Sequence, residues 1–335
     1  METRTNRKKK KTSKKKKWKR VVLLTFFALF ILSGLFVYNI YGDVASAVDK
    51  MTTSLDREKS DKREEIVEFD EKDPVSILLV GVDEREDDAG RTDSMLVLTV
   101  NPELNSTKIL SIPRDTRAEL TDKKNSKRDR IDKMNHAYAY GGIEMTMDSI
   151  EHFLNIPLDY YVKVNMQGFE DIVDAVGGID VYNEYAFELD GTYLSKGEHH
   201  LDGEEALQYA RMRKEDPAGD VGRQERQREV ISKVIKKGAS LSTLTNYDEV
   251  LEALSDNIET NLTLQEIISM QKDYRAAADN IEKLNIEGAD QYIDDIYYYM
   301  VEDKTRQLLS DELREHLGLR TEKLSASKAR AELNS

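Results

Sequence analysis

The sequence predicts an α/β fold, a sheet covered by helices on both faces, preceded by one N-terminal transmembrane helix. Three observations carry this reading. Residues 21–41, Val21 to Tyr41, contain no charged side chain. The run Val75-Ser76-Ile77-Leu78-Leu79-Val80-Gly81-Val82 is nearly all apolar, as a strand buried on both faces is. Downstream, strand-like runs mix with segments whose apolar residues recur every three or four positions, the pattern of a layered α/β domain.

In chain order, residues 1–20 hold 12 Lys and Arg against one acid, Glu2, so the tail carries +11. An uncharged helix of the length that follows spans about 31 Å at ~1.5 Å per residue, close to a hydrocarbon thickness of ~30 Å. The basic flank predicts that the N-terminus stays in the cytoplasm, with Trp18, Tyr38 and Tyr41 at the interfaces. The run exceeds the ~7–15 residues of a signal-peptide core, which predicts an uncleaved single-pass type II anchor. The rest of the chain is then extracellular. Residues 42–73 mix both charge signs, as in Asp56-Arg57-Glu58-Lys59, and read as a solvated stalk. Residues 74–320 form the folded domain and 321–335 a flexible tail.

Within the domain, Ser94–Val100 and Lys108–Ile112 read as antiparallel neighbours of the first strand, separated by Asn101-Pro102-Glu103-Leu104-Asn105. Ile143, Met147, Ile150 and Leu154 mark an amphipathic helix. Tyr160–Val164 and Ile179–Tyr182 read as strands flanking a short helix over Gly168–Val176. Further helices are expected over Asp202–Met212, Arg223–Lys237, Tyr247–Asp256, Leu264–Ala278 and Asp303–Leu317, with Thr263 and Glu266 at capping-box spacing.

Beyond the tail, the remaining 315 residues carry −25, which argues against a nucleic-acid-binding body. Absent cysteines exclude disulfides and thiolate metal sites. His199-His200 lacks a third ligand at a sensible spacing and reads as a surface pair, and His136 belongs to no readable triad.

The candidate chemistry lies where charges interrupt apolar strands. Asp83 follows the first strand and Arg91-Thr92-Asp93-Ser94 leads into the second. A hairpin between these strands sets Asp83 and Asp93 at one edge beside Arg91. Paired carboxylates suit a hard cation that keeps positions for phosphate oxygens, although strand-end Asp and Arg also serve as plain turn residues. Arg114-Asp115 closes the next strand. A second cluster places five arginines between Arg211 and Arg228, in an otherwise acidic body. Arg223, Arg226 and Gln227 share one face of a helix beginning near Gly222. Guanidinium groups beside a helix N-terminus suit a phosphate-type anion.

The ordered motifs Leu79-Val80-Gly81-Val82-Asp83, Arg91-Thr92-Asp93-Ser94, Ser111-Ile112-Pro113-Arg114-Asp115, Asn135-His136-Ala137-Tyr138, Arg211-Met212-Arg213 and Arg223-Gln224-Glu225-Arg226-Gln227 resemble the LytR-CpsA-Psr family. The likeness is strong over residues 74–240 and extends weakly to Tyr297-Tyr298-Tyr299-Met300-Val301. It implies an α/β/α sandwich with a central mixed β-sheet and a polyprenyl pocket. It implies an enzyme that moves an anionic glycopolymer, such as wall teichoic acid, from an undecaprenyl-pyrophosphate carrier to peptidoglycan, at the C6 hydroxyl of N-acetylmuramic acid. Carried onto this chain, Asp83 and Asp93 hold Mg2+ or Mn2+, and Arg91, Arg114, Arg211, Arg213 and Arg223 grip the pyrophosphate beside Gln227. Asp220 orients arginines. The tip Glu84–Gly90 is more acidic than an anionic substrate favours. A membrane-anchored regulator or sensor of lipid-linked precursors, and a polyprenyl-pyrophosphate hydrolase, are the alternatives. In either case the partners are membrane lipid and wall precursors, with no nucleic acid.

Overall fold

A computed structural model describes residues 42–85, 88–240 and 254–331, with the backbone alone for residues 83–85, 88, 89, 91, 330 and 331. The predicted tail 1–20 and span 21–41 lie outside the described residues, among which no helix is long and apolar enough to cross a membrane. After helix α1 (residues 42–51), the chain enters β1 (Val75–Arg85), β2 (Asp88–Asn101) and β3 (Ser106–Ser111). Then come β4 (Arg117–Leu120), β5 (Arg130–Lys133), α2 (His136–Leu154), β6 (Tyr160–Val164), α3 (Met166–Ala175) and β7 (Ile179–Asn183). Two short strands, β8 (Phe187–Leu189) and β9 (Thr192–Leu194), precede β10 (Gly197–Leu201), α4 (Gly203–Arg211) and α5 (Asp220–Ser240). The remainder comprises α6 (residues 254–257), β11 (Ile258–Thr260), α7 (Leu264–Asp273), β12 (Ile281–Leu284), the hairpin β13 (Gly288–Ile293) and β14 (Ile296–Val301), α8 (Asp303–His316) and α9 (Lys328–Ala331).

The main sheet runs β11-β6-β1-β2-β3-β12. It is mixed: β1 pairs parallel with β6 and β3 with β12, while the β1–β2–β3 meander and β11–β6 are antiparallel. Strand periodicity explains the continuous apolar runs. Leu78, Val80, Met95 and Val97 enter the core against α2 and α8, and Ile77, Leu96, Leu98 and Val100 enter the opposite one. Helices α3, α4, α5 and α7 lie on that second side, which completes three layers. Helix α2 is interrupted at Gly141 and Gly142, where φ is −151° and +66°, so the glycine pair divides it.

Two expectations are corrected. The stretch read as a solvated stalk packs on the domain from residue 48 onward. Arg57 donates to Glu151 Oε2 at 2.8 Å and Arg63 Nε to Asp159 Oδ1 at 2.6 Å. Phe69 belongs to the second core and Leu55 packs on the first. Both ion-pair partners lie more than 90 residues away in sequence, so local charge mixing hid them. The expected flexible tail also docks as far as it is described. Arg314 pairs with Glu322, Leu324 N donates to Gln307, and Ala329 is buried.

Candidate functional site

The β1–β2 hairpin does what strand pairing requires and adds one irregularity. Gly81 pairs with Ser94 and Val82 with Thr92, so Asp93 is the extra residue of a β-bulge, and Asp83 pairs with Arg91. Adjacent residues of a regular strand point to opposite faces; the bulge instead lets Asp93 and Ser94 both line one cavity. The chain after β3 brings Arg114 back to this edge, where its Nη1 donates to Asp93 Oδ1 at 3.0 Å and its Nε to Asp115 Oδ2 at 3.4 Å. Burial opposes the Arg114 charge, yet Asp115 and Asp93 outweigh it and hold its pKa above the ordinary value.

The arginine cluster is built around the α4–α5 connection. Helix α4 begins with a capping box, Asp202 accepting from Glu205 N at 3.0 Å, and carries Arg211 at its last turn. Arg211 donates to Asp190 Oδ2 at 2.8 Å and Gln208 Oε1 at 3.2 Å. Arg213 is exposed, with no side-chain partner among the described residues. Arg226 turns inward instead. It is buried and ties the connection together, donating to the carbonyls of Tyr209 (3.0 Å) and Met212 and to the Asp216 carboxylate. Gly222 makes room for that carboxylate, because a Cβ there would overlap Asp216 Oδ2.

Arg223 sits beyond this lock and pairs with Asp220. Burial depresses its pKa; Asp220 works against that, while Arg114 and Arg213 depress it further. Three mutually repelling guanidiniums at one spot form a ready counter-charge for a polyanion.

Two cavities flank these arginines. The larger, about 790 Å3, lies between the sheet and the helices of the second side. Its walls are mainly apolar, including Leu79, Leu98, Val162, Phe169 and Ile231; Asp93, Ser94, Arg211, Arg223 and Gln227 line it near the strand bulge, and Asn165, Gln271 and Arg275 elsewhere. The smaller, about 400 Å3, is lined by Arg114, Asp115, Arg213, Asp220, Arg228, Asp290 and Tyr297 among others. Helix α5 serves both. Residues 223, 227, 231, 234, 235, 238 and 239 line the large cavity, and 220, 221, 224 and 228, in the first turns, line the small one. At ~100° per residue Arg228 lies about 140° around the helix from Arg223, so the first turns serve both cavities.

The LytR_cpsA_psr family model matches residues 38–315. The chain belongs to this family. A relative in the family is the polyisoprenyl-teichoic acid–peptidoglycan teichoic acid transferase TagU of Bacillus cereus, 48% identical over 290 residues that cover 86% of this chain and 94% of that protein. Among solved structures, TagU of B. subtilis is 42% identical, with a TM-score of 0.58 over 73% of this chain and 97% of that one. TagT bound to LIIa-WTA is 33% identical, with a TM-score of 0.68 over 80% of this chain and all of that one.

Within this family member, Asp93, Arg114, Arg211, Arg213, Asp220, Arg223 and Gln227 converge on the two cavities. The backbone of Asp83 and Arg91 lies at the same hairpin edge. His136 stands apart, its Nδ1 2.9 Å from Asp132 Oδ2; His200 meets Asp180 at the surface. Sequence reasoning missed Arg228, Asp290 and Asn285. The first sits in the same arginine run, one residue past Gln227, and its helical phase of ~140° from Arg223 was the available signal. The others lie at or near a hairpin that no local motif connects to the site.

Proposed function

We propose that the protein transfers an anionic cell-wall glycopolymer, of the wall teichoic acid type, from an undecaprenyl-pyrophosphate carrier to peptidoglycan, at the C6 hydroxyl of N-acetylmuramic acid. The observation that carries this reading is the large cavity, an apolar chamber beside clustered guanidiniums. It suits a ligand that is a long hydrocarbon at one end and a pyrophosphate at the other. The names of the relatives agree with it.

The reaction is a phosphoryl transfer. The acceptor hydroxyl oxygen bonds to the polymer-proximal phosphorus, the P–O bond to the lipid phosphate breaks, and the hydroxyl proton goes to a carboxylate of the site. Such chemistry needs placement and charge neutralisation more than a protein nucleophile. Arg91, Arg114, Arg211, Arg213 and Arg223 hold the pyrophosphate, Gln227 lies beside it, and Asp220 orients Arg223 through their ion pair. A divalent cation suits two carboxylates at one edge: the Asp93 carboxylate is half-exposed and Asp83 neighbours it along the hairpin backbone, while the described residues hold no group of three acidic or histidine side chains placed for a metal. Asp83 and Asp93 would hold Mg2+ or Mn2+ with phosphate oxygens completing the shell, and the bound ion would neutralise developing charge. The uncharged residues 21–41 anchor the chain in the cell membrane with the N-terminus cytoplasmic and the catalytic domain outside, so the lipid product is returned to the bilayer.

The test is transfer by the full chain in detergent, given a lipid-pyrophosphate-linked polymer, Mg2+ and peptidoglycan fragments. Polymer on glycan supports the reading. Polymer released to water indicates a hydrolase, and binding without turnover indicates a sensor.

A further inference from the structure

The small cavity contains a charge that the reading above leaves unused. Arg228 is 2% exposed, among the largest fully buried side chains, and lines this cavity. Its Nε has no hydrogen-bond partner, and its side chain has no ion pair among the described residues. Burial depresses its pKa, with Glu225 the one opposing influence. A guanidinium withdrawn from water without a partner is costly, and other buried arginines here avoid that cost: Arg226, Arg306 and Arg314 are each hydrogen-bonded.

The surroundings of Arg228 differ in character from the lipid chamber. Asp115, Asp220, Asp290, Gln224, Asn285 and Tyr297 supply acceptors and donors at the same cavity. Tyr297 OH donates to Asp290 Oδ1 at 2.9 Å. The β13–β14 hairpin that carries these two is fastened to the Arg114 loop, since Tyr299 N donates to Asp115 O at 2.9 Å. Carboxylates, amides and a tyrosine suit sugar hydroxyls, and the guanidiniums of Arg114, Arg213 and Arg228 at the same cavity suit an anionic group on that sugar.

Position then selects which sugar. Two ion pairs, Arg114–Asp93 and Arg223–Asp220, each have one member lining each cavity. A pyrophosphate gripped by these arginines stands between the chambers, with its lipid phosphate on the apolar side. Displacement at phosphorus is in line, so the attacking oxygen arrives opposite the leaving group. We propose that the small cavity is the acceptor subsite, taking a glycan unit with a free primary hydroxyl and a nearby carboxylate, and that Arg228 is the residue that binds the carboxylate. This rests on the transferase reading. The hydroxyl oxygen bonds to the polymer-proximal phosphorus as the lipid monophosphate departs with the bonding electron pair and the proton passes to a site carboxylate. Arg228 takes no part in those bonds and acts as a positioning residue.

The experiment is steady-state transfer by the full chain in detergent, varying separately a peptide-free muramyl glycan fragment, whose lactyl carboxylate is free, as acceptor and a lipid-pyrophosphate polymer as donor. Arg228→Met should raise the acceptor KM about tenfold, as loss of one charge-assisted hydrogen bond does, while leaving donor KM within about twofold. Arg228→Lys should recover part of the loss. Without ligands, the melting temperature of Arg228→Met should equal or exceed that of wild type, since a cation lacking a protein partner is removed; a lower value would mark a structural role and overturn the proposal. Tyr297→Phe and Asp290→Asn, on the hairpin, probe the same cavity independently and should also raise the acceptor KM. An acceptor KM unchanged in all of these, with wild type active, would overturn the proposal, and so would a rise in donor KM alone, which assigns the anion to the polymer's own phosphate. A wild-type chain that transfers nothing would instead overturn the transferase reading.

Discussion

Replacing Arg226 by Met tests whether the placement of the clustered arginines depends on a buried lock. The substitution removes hydrogen bonds to the Tyr209 and Met212 carbonyls and to Asp216, and it leaves Asp216, 8% exposed, with Ala218 N at 2.7 Å as its remaining partner. Breaking one side of a buried ion pair costs about 3–5 kcal/mol, a large part of the ~5–15 kcal/mol that stabilises a typical domain. Asp216→Leu should cost a similar amount. In the double variant both charges are gone, so its destabilisation should fall short of the sum by at least ~1.5 kcal/mol, within the range measured for residues in contact. Urea denaturation of the four proteins, followed by far-UV circular dichroism, gives the coupling; the single tryptophan, Trp18, lies outside the described residues. Additive effects, or a single-variant cost below ~1 kcal/mol, would refute the lock. Because Tyr209 and Met212 flank Arg211 and precede Arg213, the folded fraction of Arg226→Met should also bind donor more weakly.

Other outcomes follow from the same geometry. Alanine at Asp93, Arg211 or Arg213 should lower kcat/KM for transfer by about a hundredfold each, the size expected for one transition-state charge contact, and full activity in all three would remove the site assignment. Ile231→Trp should fill the apolar chamber, weakening binding of a long-chain prenyl pyrophosphate at least about tenfold while the melting temperature holds; unaltered affinity for long and short chains alike would place the lipid elsewhere. His316 is buried between Thr99 Oγ1 at 2.7 Å and Ser106 Oγ at 2.8 Å, and burial lowers its pKa to about 4. The folded state therefore keeps it neutral while the unfolded chain protonates near pH ~6.5. Its contribution is complete above that pH and is lost as pH falls toward 4, by about 3 kcal/mol at most. Stability of His316→Gln should show a shallower decline over that window, and an identical slope would contradict the assignment.

Legibility from sequence followed the range of the interactions. The central strands could be read because both faces are buried, so Leu78 and Leu79 are apolar for different cores. The edge that gathers Asp83, Asp93 and Arg114 was legible because a hairpin and a short return determine it. The bulge at Asp93 was not, since no local residue type announces it. Helical phase sets Arg228 apart from Arg223 and Gln227, but phase alone does not say which cavity each lines. The sequence sets Arg226 on one helix face with Arg223 and Gln227, and its inward turn is not legible there because its acceptors, Tyr209, Met212 and Asp216, come from the preceding helix and loop. The docking of Arg57 and Arg63 was hidden for the same reason: ionic partners distant in sequence leave no trace in a local charge pattern.

The central claim is that phosphorus moves from lipid to glycan at this site. The most direct measurement places a 32P label on the polymer-proximal phosphate of the donor and follows it through a reaction of the full chain with Mg2+ and peptidoglycan fragments. The account predicts label in a phosphodiester on the glycan, with unlabelled lipid monophosphate formed in equal amount. Label in free polymer phosphate, or label retained on the lipid while binding proceeds, would contradict it.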